Sequence, residues 1–172
     1  MKFTDLINER NIDLSLSADS EIETILSMVE LASHCEKVED SGTLAQSVLH
    51  YEVIAPSFTG SCGVVFHSLS DGISSPKIFF GRFDKGIGYH SKAGRPIDLV
   101  FLIAAPNGKE HELLDIFERL DHLLQQQPTR ELLRSPRSPE EILQVLIRHL
   151  EMKEGTVSDT EFPPKQLTPS LQ

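Results

Sequence analysis

A seven-residue apolar run, residues 99–105, constrains the fold of this chain more than any other feature of the sequence. It reads Leu-Val-Phe-Leu-Ile-Ala-Ala, so both faces of a strand over these residues would be hydrophobic, which is typical of a central strand covered by helices on each side. The run is far shorter than the roughly 20 apolar residues that cross a bilayer. We therefore expect an α/β fold with a central mixed β-sheet of four or five strands, sandwiched by helices on both faces.

Hydrophobic periodicity predicts the other elements. Apolar residues that alternate with polar ones, or that cluster between turn residues, indicate strands over 12–16, 64–67 and 77–83. Apolar residues at helical spacing indicate helices over 21–35, 43–53, 108–126 and 129–133, and a last helix from Pro139 to about 151. Asn107 and Glu110 have the spacing of a capping box at the start of the third helix, and the glycine-containing segment 84–95 is expected to connect two strands.

The composition changes near the C-terminus. With 172 residues, of which 39% are apolar, the chain is long enough for one domain with one hydrophobic core. After Glu151 the residues are mainly Gly, Ser, Thr, Pro and charged ones, which cannot fill a core. We expect a single domain over 1–152 and a flexible C-terminal tail over 153–172.

Charge and cysteine content limit the classes of function and partner. A formal net charge of −10 would repel a nucleic-acid backbone, so we expect no nucleic-acid partner. The first nine residues mix charged and apolar side chains and do not build a signal core, and we expect a cytoplasmic protein with no direct membrane insertion. Cys35 and Cys62 lack the neighbouring ligands of a zinc site and are expected to be free thiols. Neither a metal nor a cofactor is expected.

Two segments contain histidines at positions where the side chain could take part in a reaction. Residues 59–67 read Thr-Gly-Ser-Cys-Gly-Val-Val-Phe-His, a loop of small residues followed by a short apolar strand that ends at His67. Residues 94–106 read Gly-Arg-Pro-Ile-Asp-Leu-Val-Phe-Leu-Ile-Ala-Ala-Pro, and His111 follows after a short polar turn. Together with the order of helices and strands, these segments resemble the enzyme IIA component, fructose/mannitol type (type 2), of the bacterial sugar phosphotransferase system, a family that includes a nitrogen-regulatory branch. The resemblance covers about residues 3–150.

The resemblance implies a phosphoryl relay. His67 would accept a phosphoryl group from a histidine phosphocarrier protein, and the chain would act as a phosphotransferase through a phosphohistidine intermediate. His111 matches the second active-site histidine of the family and would hydrogen-bond the transferring phosphate. Backbone N–H groups of Gly60 and Gly63 would bind phosphoryl oxygens, and Glu52 matches the glutamate of an Arg-Glu pair in the family. The chemistry requires an exposed imidazole that is neutral near physiological pH, with its second nitrogen held by a hydrogen bond.

The sequence departs from the family at two positions near His67. Tyr51 stands where the family has the arginine of that pair, and Phe66 stands where it has a proline. Arg82 or Arg95 could supply the missing guanidinium from another part of the sheet. Glu52 could equally be a plain carboxylate on a helix surface.

Two functions remain open. In the first, the protein relays phosphate to the IIB component of a sugar permease or, as in the nitrogen-regulatory branch, signals through its phosphorylation state. In the second, it is a degenerate module that takes no phosphate and regulates a partner such as a transporter, a kinase or a transcription factor by binding. Phosphorylation that is lost in His67→Ala would distinguish the first function from the second.

Overall fold

The fold is that of a computed structural model, which describes residues 2–54, 63–87 and 96–151. The strands are β1 (Ile12–Leu16), β2 (Gly63–Leu69), β3 (Lys77–Ile87) and β4 (Ile97–Ala105). The α-helices are α1 (Glu21–Ser33), α2 (Ser41–Ile54), α3 (Glu110–Gln125), α4 (Gln127–Arg134) and α5 (Pro139–Glu151), and two short 3-10 helices (Phe3–Asp5 and Glu9–Asn11) precede β1. No α-helix in the described ranges is long and apolar enough to cross a membrane. The expected tail over 153–172 lies outside the described residues.

The described strands form one mixed sheet in the order β1-β3-β4-β2. β1 pairs with β3 and β2 pairs with β4 in parallel, whereas β3 and β4 are antiparallel. β4 lies inside the sheet, and its apolar residues from Leu99 to Ala105 are completely buried. Among the described strands, β2 lies at an edge of the sheet. These findings confirm the predicted α/β fold with a mixed central sheet.

Helices cover both faces of this sheet. On one face, α3, α4 and α5 pack against Val65, Phe80 and Phe101. On the other face, α1 and α2 pack against Val64 and Phe66. Because side chains alternate along a strand, the odd-numbered residues of β2 face α3 and the even-numbered ones face α2.

Two strands extend beyond their predicted ends. We predicted that β2 ends at His67, but it continues to Leu69 because it pairs with β4 as far as Ala105. β3 runs into the segment that was expected to be a connection, since Ile87 pairs with Ile97. His67 therefore lies inside a strand, two residues before its end.

The third α-helix begins later than predicted. Lys109 precedes it, and Asn107 does not cap it: the side-chain amide of Asn107 donates to the carboxylate of Asp71 at 2.6 Å. The carboxylate of Glu110 accepts from the backbone N–H of Gly108 at 3.3 Å. Gly108 has a φ of 89°, in the left-handed region that favours glycine. The predicted capping box is wrong because this left-handed turn separates Asn107 from the helix.

Candidate functional site

His67 lies in β2 with its ring on the α3 side of the sheet. The ring packs against Phe117 of α3, with ring centroids 4.8 Å apart and planes inclined by 60°. Tyr51 of α2 approaches the same imidazole edge to face, with centroids 6.0 Å apart and planes inclined by 77°. A side chain of α2 can reach this ring because β2 is the edge strand of the described sheet. The imidazole is half-buried between side chains that come from two different layers.

The surroundings of His67 favour its neutral form. Burial lowers the pKa of the imidazole from its ordinary value of 6.5, and the nearby carbonyl of Val65 and the negative charge of Glu52 oppose this shift. Nδ1 is buried and has no hydrogen bond of acceptable geometry among the described residues, so the hydrogen bond expected for the second ring nitrogen is not found there. The His67 side chain lines a cavity, and its other ring nitrogen is Nε2. It carries a lone pair when the ring is neutral and the proton sits on Nδ1.

An open cavity of about 450 Å³ lies beside His67. Its lining also includes His50, Tyr51, Ile54, Leu69, Glu110, Leu113 and Leu114. Most of these side chains are apolar, and Ile54 and Leu114 are largely exposed. None of these described lining residues is an arginine or a lysine. This part of the site therefore offers a protein partner an apolar surface, and it offers an anion few charge-assisted donors.

Two other predicted site residues lie in the described ranges next to β2. Glu52 is buried on α2, and its negative charge acts on His67. It is therefore not the solvated surface carboxylate that the sequence left open. Gly63 begins β2, and a Cβ at this position would lie 2.8 Å from a methyl carbon of Leu124. This close approach gives the glycine a packing role. A contact between Gly63 and phosphate stays a prediction. Gly60 lies outside the described residues.

His111 lies in the first turn of α3 and is exposed. Its neighbour Glu110 lines the cavity beside His67. The positive end of the helix dipole favours an anion near this turn. Within the described ranges, which contain both residues, no hydrogen bond or ring contact joins His111 to His67. The phosphate-binding role of His111 stays a prediction.

Arg82, one of two candidates to replace the missing guanidinium, is occupied elsewhere. Nη1 of Arg82 donates to the carbonyls of Leu133 and Arg134, both at 3.0 Å, at the C-terminal end of α4. Arg82 pairs with the beginning of β4, whereas His67 pairs with a residue near its end. The expectation for Arg82 is therefore wrong, because its side chain supports α4. Arg95 lies outside the described residues.

Sequence reasoning did not identify the two aromatic residues that pack on His67. Phe117 belongs to the apolar stripe of α3, which predicts a core position and nothing about a histidine. The contacts of Tyr51 and Phe117 join residues on different elements, so no local pattern reveals them. For Tyr51 the sequence did contain a signal. Tyr51 aligns with the arginine of the family, and this alignment places it at the site even though its side chain is chemically different.

The described residues contain no group of three or more His, Cys, Asp or Glu side chains that could hold a metal ion. His50, His67 and Glu110 line one cavity, but they do not form such a group. Cys35 is a free, half-buried thiol, and Cys62 lies outside the described residues.

A known protein family covers most of this chain. The family model described as "Phosphoenolpyruvate-dependent sugar phosphotransferase system, EIIA 2" matches residues 5–149. This range contains all the predicted site residues, from Glu52 to His111.

Two relatives match most of this chain. The PTS system fructose-specific EIIABC component of Bacillus subtilis is 28% identical over 149 residues, which cover 87% of this chain and 24% of that protein. The chain thus spans about a quarter of the length of that relative. The nitrogen regulatory protein of Bradyrhizobium diazoefficiens is 26% identical over 146 residues, which cover 85% of this chain and 95% of that protein.

Two solved structures have the same architecture. The nitrogen regulatory protein IIA-Ntr of Neisseria meningitidis superposes with a TM-score of 0.76 at 20% identity, covering 83% of this chain and 97% of its own. The mannitol IIA enzyme of Escherichia coli, solved in complex with phosphorylated mannitol IIB, superposes with a TM-score of 0.69 at 24% identity, covering 81% and 96%. At these identities the likeness shows the fold alone.

Proposed function

We propose, from the premise that this chain belongs to the EIIA 2 family of the phosphoenolpyruvate-dependent sugar phosphotransferase system, that His67 accepts a phosphoryl group. One observation carries the proposal: the ring of His67 lines an open cavity. Its buried Nδ1 and its lowered pKa support the proposal further. Such an imidazole is neutral near physiological pH. Only the neutral form has the lone pair that a nucleophile needs.

The proposed donor is the phosphohistidine of a histidine phosphocarrier protein. Nε2 of His67 attacks phosphorus with its lone pair and forms a new N–P bond. The N–P bond of the donor breaks, and the donor imidazole recovers its lone pair. Glu52, which is buried and acts electrostatically on His67, favours the positive charge that develops on the ring as the new bond forms. The protein would thus act as a phosphotransferase through a phosphohistidine intermediate.

Three further residues have proposed roles in holding the phosphoryl group. His111, in the first turn of α3, would donate a hydrogen bond to a phosphoryl oxygen. Gly60 and Gly63 would donate their backbone N–H groups. Such donors are needed because Glu110 lines the same cavity and would repel a phosphoryl group when ionised.

The proposed recipient of the phosphate is a protein. A IIB component is one candidate, since the Bacillus subtilis relative is a fructose-specific EIIABC component and the Escherichia coli mannitol IIA enzyme forms a complex with phosphorylated IIB. A regulated transporter or kinase is the other, which the similarity to a nitrogen regulatory protein supports. The exposed apolar side chains of Ile54 and Leu114 beside His67 suit contact with a protein surface.

A second function, regulation of a partner by binding without phosphorylation, has one observation in its favour. The described lining of the cavity contains no arginine or lysine, and Tyr51 lines it where the family has an arginine. A single charge-assisted donor at such a site is worth on the order of a hundredfold in rate. A site that lacks this donor could still bind a protein partner through its apolar surface and no longer transfer a phosphoryl group.

Intact-mass analysis distinguishes the two functions. The full chain is incubated with phosphoenolpyruvate, enzyme I and cognate histidine phosphocarrier, alongside His67→Ala and His50→Ala. His50→Ala is a matched control because His50 lines the same cavity. We expect one phosphate on the wild type and on His50→Ala, and none on His67→Ala. No phosphate on any of them would overturn the relay and favour the binding module.

A further inference from the structure

Two aromatic rings from different helices meet at the imidazole of His67. Phe117 comes from α3, and Tyr51 comes from α2 in the opposite layer. The centroid distances to His67 are 4.8 Å for Phe117 and 6.0 Å for Tyr51. Tilted and edge-to-face arrangements at such distances are the attractive geometries for aromatic rings. We call Tyr51 and Phe117 the aromatic clamp.

The imidazole needs such support because the nearby backbone carbonyl of Val65, which raises its pKa, makes no hydrogen bond of acceptable geometry with Nδ1. Nδ1 is buried without a partner in the described ranges. His67 also lies on β2, whose outer side pairs with no other described strand. The orientation of the ring about its side-chain torsions is then determined by packing, and the clamp supplies the aromatic part of that packing.

We propose that Tyr51 is a positioning residue for His67. Its ring edge, together with Phe117, keeps the imidazole oriented with Nδ1 enclosed and Nε2 towards the cavity. The orientation is a property of the unphosphorylated protein. Its consequence for phosphoryl transfer rests on the function proposed above.

The ring of Tyr51, and not its hydroxyl group, makes the contact. The two rings meet edge to face, and the hydroxyl group forms no hydrogen bond with the described residues. The proposal therefore predicts that Tyr51→Phe keeps the orientation of His67. Tyr51→Ala removes the contact and allows the imidazole to turn.

The groups around the imidazole determine the direction in which its pKa changes. Glu52 on α2 favours the protonated ring, and burial opposes it more strongly. His50 on α2 and Glu110 on α3 line the same cavity and face it as well. Removing the ring of Tyr51 admits water to the imidazole and weakens the effect of burial, so the pKa of His67 rises towards its ordinary value.

Nuclear magnetic resonance of the ¹⁵N-labelled histidine rings tests the proposal in the unphosphorylated full chain. The variants are Tyr51→Phe and Tyr51→Ala, with Val53→Ala as a matched control, because Val53 lies on the same helix and is 83% exposed. Wild type, Tyr51→Phe and Val53→Ala should show the Nδ1–H tautomer of His67 with a lowered pKa. Tyr51→Ala should show a mixture of tautomers and a higher pKa.

Two results would overturn the assignment. The first is an unchanged tautomer and pKa in Tyr51→Ala. The second is a Tyr51→Phe variant that behaves like Tyr51→Ala, since the hydroxyl group would then be the active part. If Tyr51→Ala does not fold, Tyr51→Leu replaces it, because leucine fills the space without a ring. This variant should give the same mixture of tautomers. The pure Nδ1–H tautomer in Tyr51→Leu would equally contradict the proposal.

A time course of phosphate uptake separates this proposal from the proposed function. With cognate donors, Tyr51→Ala should take up phosphate about tenfold more slowly than wild type, because the nucleophile is no longer held in its reactive orientation. Tyr51→Phe should keep the wild-type rate. A wild type that takes up no phosphate would contradict the function while leaving the magnetic resonance test unaffected, so the two failures are distinguishable.

Discussion

Arg134, at the end of α4, pairs with Asp98, near the start of β4, through two hydrogen bonds. Nε and Nη2 of the guanidinium donate to the two carboxylate oxygens at 2.6 and 3.0 Å. Only 26% of the arginine side chain and 21% of the aspartate side chain are exposed. Bidentate pairs of this kind are stronger than single contacts between exposed charges. The pair therefore fixes the end of α4 to the sheet.

Asp98→Asn should lower the free energy of unfolding by about 1–2 kcal/mol, because the partly buried guanidinium loses its bidentate carboxylate and keeps the more exposed Glu131, whose Oε1 lies 2.7 Å from Nη1. Urea denaturation measures this loss. The matched control is Asp115→Asn. The carboxylate of Asp115 pairs with Nε of Arg119 at 3.1 Å, and the Asp115 side chain is 57% exposed. That variant should lose less than about 0.5 kcal/mol. Equal losses of unfolding free energy in the two variants would show that the bidentate pair stabilises the fold no more than the exposed pair does.

The stability of the protein should depend on pH through His67. Its folded-state pKa is lowered below 6.5, so the unfolded chain binds more protons than the native one as the pH falls. The contribution of the neutral imidazole is therefore fully present above about pH 6.5 and is lost as the pH falls from there through the lowered folded pKa. Urea denaturation between about pH 7 and about pH 5 should show a steeper decline for wild type than for His67→Gln.

Val53→Ala is the control for this experiment, because it changes an exposed, uncharged side chain on the neighbouring helix. It should keep the slope of the wild type. A His67→Gln variant that declines in parallel with wild type would contradict the lowered pKa.

The elements that were predicted well are those with a strong local pattern. The apolar run in β4 requires burial on both faces, and the structure provides it by placing helices on each side of an internal strand. The amphipathic stripes of α3 and α5 likewise match the faces that pack on the sheet, whereas on α1 Ile22 and Leu26, which have helical spacing with the buried Ile25 and Val29, are 59% and 46% exposed. Such patterns depend only on neighbouring residues, so they can be interpreted before the fold is known.

The features that were missed depend on contacts between distant segments. The end of β2 is determined by the length of its partner β4, and the task of Arg82 is determined by the carbonyl groups of α4. The side-chain amide of Asn107 binds Asp71 instead of capping α3, a choice that spacing alone could not reveal. The histidine at the site was identified from a motif, whereas the rings that pack on it became visible only in three dimensions.

Gly63→Ala should test the close packing at the start of β2. The new Cβ would lie 2.8 Å from a methyl carbon of Leu124, which is completely buried, so the free energy of unfolding should fall by about 1–2 kcal/mol. In a Leu124→Val background, which shortens the opposing side chain, the cost of Gly63→Ala should be smaller. Urea denaturation of the four proteins measures this coupling.

Phosphate uptake by folded Gly63→Ala should equal that of wild type, because alanine keeps the backbone N–H that the proposed phosphate contact uses. An equal cost of the substitution in both backgrounds would argue against the contact with Leu124. A loss of phosphate uptake without a loss of stability would instead show that the added Cβ obstructs the phosphoryl site.

His111→Ala should slow phosphate uptake by about 10- to 100-fold without abolishing it, because a stabilising donor is lost while the nucleophile remains. Time-resolved intact-mass analysis with cognate donors measures the rate, and His67→Ala, which lacks the nucleophile, should give no uptake. His122→Ala is the matched control, since it removes another exposed histidine from the last turn of the same helix. Wild-type uptake by His111→Ala would remove His111 from the site. If His111→Ala takes up no phosphate while its stability is unchanged, His111 must do more in the transfer than donate one hydrogen bond to the phosphate.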